Sequence, residues 1–143
     1  SALRVFNKDQ WIDDVYSTVW LKFGFYTENT QILSKLPDAI AEIGQFELTN
    51  SHPLNLELNP PGVTKASGLR EVCAMLGITM EEVVACGDSL NDCSMIREAG
   101  LGVAMGNAQE IVKEQADVVA PTNDEHGVAH VIREFILSQE RGG

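Results

Sequence analysis

Hydrophobic residues along the chain alternate between strand and helix spacing. Residues 15–23 read V-Y-S-T-V-W-L-K-F, a β-branched and aromatic run that predicts a strand. Over residues 30–43, Ile32, Leu33, Leu36, Ile40 and Ile43 recur at helical spacing. Pro37 falls inside this run and either kinks one helix or opens a second segment at its first position. Residues 46–49 and 54–58 predict two further strands. The second alternates, with Leu54, Leu56 and Leu58 on one face and Asn55 and Glu57 on the other, as in an antiparallel sheet with one wet face.

Asn59-Pro60-Pro61-Gly62 interrupts this pattern and predicts a boundary, with one unit over residues 1–60 and another over 61–143. Beyond it, helix and strand alternate. Leu69, Val72, Cys73 and Leu76 follow i, i+3, i+4, i+7, and Gly77 ends that helix. Thr79 with Glu82 predicts a capping box. Val83-Val84-Ala85-Cys86 is a continuous apolar run, as expected of a parallel strand buried on both faces. A helix over residues 92–99, a strand over 101–105 and a helix ending near Ala116 follow, the last capped by Asn107 with Glu110. A short strand at Val118-Val119-Ala120 precedes a final helix striped by Val128, Val131, Ile132, Phe135 and Ile136. The first unit reads as a small α+β piece and the second as half of a doubly wound α/β sheet.

Composition narrows the classes. The formal net charge of -11 argues against a nucleic-acid partner, because phosphate backbones are held mainly by Lys and Arg. No apolar run approaches the ~20 residues of a membrane helix, and the first residues do not form a signal peptide. A soluble cytoplasmic protein is the expectation. The three cysteines, Cys73, Cys86 and Cys93, form no C-x-x-C pair and read as reduced core residues.

Chemistry concentrates in Gly87-Asp88-Ser89-Leu90-Asn91-Asp92, directly after the apolar strand. Ligands of open parallel sheets bind beyond the carboxyl ends of the strands, where this loop must lie. Asp88 and Asp92 can face one pocket across a strand-to-helix turn, giving hard oxygen donors suited to magnesium. The alternative is that Asp88 or Asn91 merely caps the next helix. Asn107 is likewise open between helix cap and ligand contact, and His52, His126 and His130 read as surface residues.

The loop has company. Gly62-Val63-Thr64-Lys65-Ala66, the 87–92 loop, Gly102-Val103-Ala104-Met105-Gly106-Asn107-Ala108, Ala116-Asp117 and Asn123-Asp124-Glu125-His126-Gly127-Val128 occur in this order. Together they resemble the Cof-type (class IIB) phosphatases of the haloacid dehalogenase (HAD) superfamily, over residues 56–136. Residues 15–59 resemble the later part of that family's cap domain. The resemblance implies an α/β fold: the C-terminal half of a HAD-like core over 61–143, preceded by part of an α+β cap over 1–60. It implies a magnesium-dependent phosphomonoester hydrolase acting on small sugar or related phosphorylated metabolites through an aspartyl-phosphate. Lys65 would neutralise the phosphoryl group and order the nucleophile. Asp88 would ligate Mg2+, with Asp92 supporting the metal shell and Ser89 near the metal, and Asn91 would contact phosphate. Charge neutralisation and positioning are what phosphoryl transfer needs.

The family's nucleophile motif, D-x-D after an apolar strand, is not found in the chain. Trp11-Ile12-Asp13-Asp14-Val15 is the nearest stretch and reads as a turn. The chain is therefore expected to be a fragment that turns over phosphate esters only with an upstream segment. The competing reading is a non-catalytic magnesium- or phosphate-binding or assembly module. A receiver domain fits less well, since its accepting strand and paired acids come early. Without a neighbour beside the strand at residues 83–86, an open apolar edge predicts association of copies into a homo-oligomer, unless residues 1–14 fold over it.

Overall fold

The structure is a computed structural model that describes residue 19 and residues 21–138. The predicted strand at 15–23 lies almost wholly outside the described residues; a strand is found at its end and beyond, β1 (Phe23–Tyr26). β2 (Glu47–Thr49) and β3 (Asn55–Asn59) complete a three-stranded antiparallel sheet of order β1-β3-β2. Phe25 faces Leu56 across one ladder and Leu48 faces Leu58 across the other.

Helix α1 (Thr30–Ala41) precedes β2. The Asn29 side chain accepts from the backbone N–H groups of Gln31 (3.1 Å) and Ile32 (3.3 Å), satisfying two of the donors that a helix start leaves unpaired. Pro37 lies inside this helix, which runs through it as one element. The apolar stripe is anchored by Ile40, the buried residue of α1.

The second sheet is parallel: β4 (Val84–Gly87), β5 (Leu101–Ala104) and β6 (Val118–Val119), in the order β4-β5-β6. In register, Val84 faces Leu101 and Val103 faces Val118. Among the described residues β4 pairs with β5 alone, so it stands at an edge. The connections are α2 (Lys65–Leu76), α3 (Cys93–Glu98) and α4 (Glu110–Lys113), with α5 (Gly127–Val131) following β6. Gly77 ends α2 at φ 71°, in the left-handed region that favours glycine. Thr79 and Glu82 form the predicted capping box, the carboxylate accepting from Thr79 N at 2.8 Å.

The core of this unit centres on Ile96, Val103, Val112 and Val131, with Cys93, Ala104, Met105, Ala108 and Ala120 around them. Residue spacing overstated the buried faces of the helices: of the stripe predicted over residues 30–43, Ile32 and Ile43 are exposed. On α2, Cys73 is buried, whereas Val72 and Leu76 are 48% and 68% exposed. After α5 the chain widens into π-helical turns over Ile132–Leu137, marked by Ser138 N donating to Arg133 O at 3.1 Å. Val131 is buried and Phe135 packs on the core, but Val128, Ile132 and Ile136 face outward. Cys73, Cys86 and Cys93 are free thiols, and burial raises the pKa of the Cys86 and Cys93 thiols above the ordinary value.

Candidate active site

The strand-to-helix turn after β4 gathers the nominated residues. Ser89 opens a single 3-10 turn over Leu90–Asp92 in a capping box with Asp92, and α3 follows directly. The helix-start roles considered for Asp88 and Asn91 thus fall to Ser89 and Asp92, leaving Asp88 and Asn91 free of them.

Asp92 is the buried charged residue of the molecule's described part, only 4% exposed. Its Oδ2 accepts from the backbone N–H groups of Asp88 (3.0 Å) and Ser89 (3.2 Å), and its Oδ1 accepts from the Lys65 ammonium. Gly87 makes room for this: a Cβ there would overlap the Asp92 side chain. Through these bonds Asp92 shapes the loop and holds Lys65. Of the three residues nominated for a metal, Asp88 is the one whose carboxylate is exposed. Ser89 Oγ lies 3.1 Å from Asp88 Oδ1 and donates to it.

Lys65 is the first residue of α2, where the helix dipole disfavours a cation. The Asp92 carboxylate offsets that cost and points the ammonium to the end of β4. The Lys65 side chain is still 48% exposed, so one side of it is available to a ligand.

A pocket of about 220 Å³ opens beside Lys65, between the first sheet and the start of α2 with the 87–92 loop. Thr49, Glu57 and Asn59 line it from the first sheet, Lys22 from the residue just before β1, and Val63, Thr64, Lys65 and Asn91 from the second unit. A backbone hydrogen bond from Asn91 N to Asn50 O (3.2 Å) ties the two sides together. The Oδ1 atoms of Asn91 and Asn50 are buried with no hydrogen-bond partner. Glu57 was expected on a solvated strand face; instead its side chain lines this pocket. It accepts from Lys22 Nζ (2.5 Å), Ser51 Oγ (2.9 Å) and Thr49 Oγ1 (3.5 Å). Burial works to raise the Glu57 pKa, but the hydrogen bonds from Lys22 and Ser51 and the Lys22 charge outweigh it, leaving the carboxyl below its ordinary value. Residue spacing carried no sign of Lys22 or Glu57 as pocket residues, because strand alternation shows which residues share a face and not what that face meets.

Asn107 is a correction. The helix it was expected to cap begins later, at Glu110 with Gln109 as its N-cap, and is only four residues long. Asn107 instead donates from Nδ2 to Asp88 Oδ2 (3.2 Å) and accepts at Oδ1 from Asn123 N (3.0 Å). His126 takes a left-handed conformation, φ 59°, at the start of α5. Asp13 and Asp14 lie outside the described residues. Among the described residues no three His, Cys, Asp or Glu side chains cluster as a metal site, and no helix is long and apolar enough to cross a membrane.

Comparison with known proteins places the chain in a family. The chain is 53% identical over 118 residues to the 5-amino-6-(5-phospho-D-ribitylamino)uracil phosphatase YcsE of Bacillus subtilis, covering 82% of this chain and 47% of that protein. It is 40% identical to phosphatase YwpJ of the same organism, over 95% of this chain and 46% of that protein. It thus spans about half the length of these curated relatives. Among solved structures, a haloacid dehalogenase-like hydrolase from B. subtilis superposes with a TM-score of 0.79 at 34% identity, covering 87% of this chain and 45% of that one. A HAD subclass IIB sugar phosphatase does so with a TM-score of 0.76 at 31% identity, covering 86% and 46%. The family model for haloacid dehalogenase-like hydrolases matches residues 4–132, and the chain belongs to that family.

Proposed function

We propose that this chain forms the phosphate-binding half of a magnesium-dependent phosphomonoester hydrolase that acts on small hydroxylated phosphates. The observation that carries the reading is the convergence at the end of β4: Lys65 locked to buried Asp92, exposed Asp88 beside them, and Asn91 in the same pocket as Lys65. The division near residue 60 then separates a cap piece from a core piece, with the pocket between them.

The donor set fits magnesium. Mg2+ favours hard oxygen ligands and commonly takes one or two carboxylates, completing its shell with water and substrate phosphate. Asp88 offers such a carboxylate, and the partnerless Asn91 Oδ1 is a neutral oxygen in the same loop. Bound there, the cation would offset charge on the phosphoryl oxygens. Lys65 adds a second positive charge, held in place by Asp92 rather than by the substrate, so little reorganisation is required when the phosphoryl group arrives. Asn91 is placed to donate from its amide to a phosphate oxygen.

The substrate class follows from the lining. Lys22, Thr49, Glu57 and Asn59 all carry hydrogen-bonding groups, and Val63 alone is apolar, which suits a polyol or sugar leaving group better than an aromatic one. The 53%-identical relative, named for a phosphoribityl substrate, supports the same class. The attacking carboxylate of the family mechanism is not among the residues placed here, so turnover is proposed for a protein spanning the relatives' full length. A non-catalytic module is the second reading, favoured by the same observation. One experiment separates them: phosphate release from ribitol 5-phosphate by the chain joined to a segment that supplies the first half of the relatives. Turnover that needs Mg2+ and disappears in Asp88→Ala is expected. Undiminished turnover in excess chelator or in Asp88→Ala would sink the magnesium requirement and the role of Asp88, and no turnover at all would favour the module.

A further inference from the structure

Asn107 lies 19 residues beyond Asp88, in the segment that leaves β5. It meets Asp88 and Asn123 at once, and the two contacts together dictate how its amide must lie. The Asn123 backbone N–H can only donate, so Asn107 presents Oδ1 to it at 3.0 Å. That turns the NH2 toward Asp88 Oδ2 at 3.2 Å, where an ionised carboxylate can only accept. The opposite amide orientation would set donor against donor and acceptor against acceptor.

Asp88 is thereby held at three points. Ser89 Oγ donates to Oδ1 (3.1 Å), Asn107 Nδ2 to Oδ2, and Gln109 N to the Asp88 carbonyl (3.2 Å). Each carboxylate oxygen has one neutral donor and keeps further lone pairs for another ligand. An exposed aspartate otherwise samples several rotamers, and ordering it on cation binding costs free energy. We propose that Asn107 is a positioning residue that fixes the Asp88 carboxylate for its cation, with the Asn123 turn setting the orientation of the Asn107 amide. The inference rests on the metal reading above and assigns a role to a residue outside the loop that carries the carboxylates.

The test uses the chain itself, with Mn2+ as the probe. In a 15N–1H spectrum recorded without metal, the side-chain amide resonances of Asn107 are expected to move in Asp88→Ala; unmoved resonances overturn the inference. In a titration followed by the electron-spin signal of free Mn2+, Asn107→Ala is expected to weaken binding about tenfold, the usual scale for a residue that orients a metal ligand, with the melting temperature unchanged. Asp88→Ala is expected to abolish binding. Equal affinity in wild type and Asn107→Ala, with Asp88→Ala still unable to bind Mn2+, overturns this inference and leaves the metal reading standing. Binding that survives Asp88→Ala, or a wild-type chain that takes up no Mn2+, overturns the metal reading and the inference with it. Should Asn107→Ala fail to fold, the resonance comparison, made in proteins that keep Asn107, decides alone.

Discussion

Asp88 and Asp92 stand four residues apart in one loop, yet the structure assigns them opposite physical roles, and replacing each in turn exposes the difference. Asp92 is buried and accepts from two backbone N–H groups and the Lys65 ammonium. In Asp92→Ala those two N–H groups lose their acceptor. The penalty for such an orphan is about 1–3 kcal/mol, and the lower end applies because Asp88 and Ser89 lie where water can reach. The lost charge-assisted bond to half-exposed Lys65 adds about 1 kcal/mol, since the ammonium rehydrates. The sum is about 3 kcal/mol. Asp92→Asn keeps one oxygen for the backbone donors but faces Lys65 with an NH2 group, and should cost about 1–1.5 kcal/mol. Asp88→Ala, at an exposed site, should stay within about 0.5 kcal/mol of wild type. Urea denaturation followed by circular dichroism measures all three. In a thermal scan the unfolding entropy of a chain this size converts each kcal/mol into roughly 3 °C, so Asp92→Ala should melt about 10 °C lower. Gly87→Ala, whose new Cβ would overlap the Asp92 side chain, should be destabilised comparably. Equal losses for Asp92→Ala and Asp92→Asn would refute the reasoning, because the backbone donors would then contribute nothing. So would an Asp88→Ala protein as unstable as Asp92→Ala.

Two more outcomes follow from other parts of the molecule. Because the Glu57 pKa lies below its ordinary value in the folded state, its ion pair with Lys22 stabilises the fold above the ordinary carboxylate range and loses that contribution as pH falls through the folded value. The stability difference between wild type and Lys22→Met should therefore be constant at neutral pH and shrink in acid; a difference that persists unchanged into strong acid contradicts the assignment. Among the described residues β4 lies at the edge of the parallel sheet and carries Val84, Ala85, Cys86 and Gly87, with no Lys or Pro to discourage pairing. The chain should associate through this edge as its concentration rises, and sedimentation showing a monomer across the whole series would rule that out.

Much of the local structure was legible in residue order, because it depends on neighbours within a turn or on the simple period of a strand. The alternation of Leu54, Leu56 and Leu58 announced β3, the unbroken apolar run announced β4, and Gly77 and the Thr79–Glu82 pair marked where elements end and begin. The loop of residues 87–92 stood out as a candidate site for the same reason: its glycine, carboxylates and amide all fall within six residues. The division of labour inside it was not. Lys65, 27 residues earlier, reaches Asp92, and Asn107, 19 residues later, restrains Asp88. Asn107 looked like a helix cap because Glu110 follows at the right spacing, but the helix starts two residues later and the Asn107 amide is claimed by two distant segments. Glu57 looked solvated because its strand alternates, yet the facing unit converts that polar face into a pocket wall. Short-range pattern encodes which backbone conformation each segment prefers and which side chains share a face. Which faces meet, and therefore which polar groups find partners, depends on the order of strands in each sheet and on how the first sheet meets the start of α2 and the 87–92 loop, and only the tertiary structure decides that.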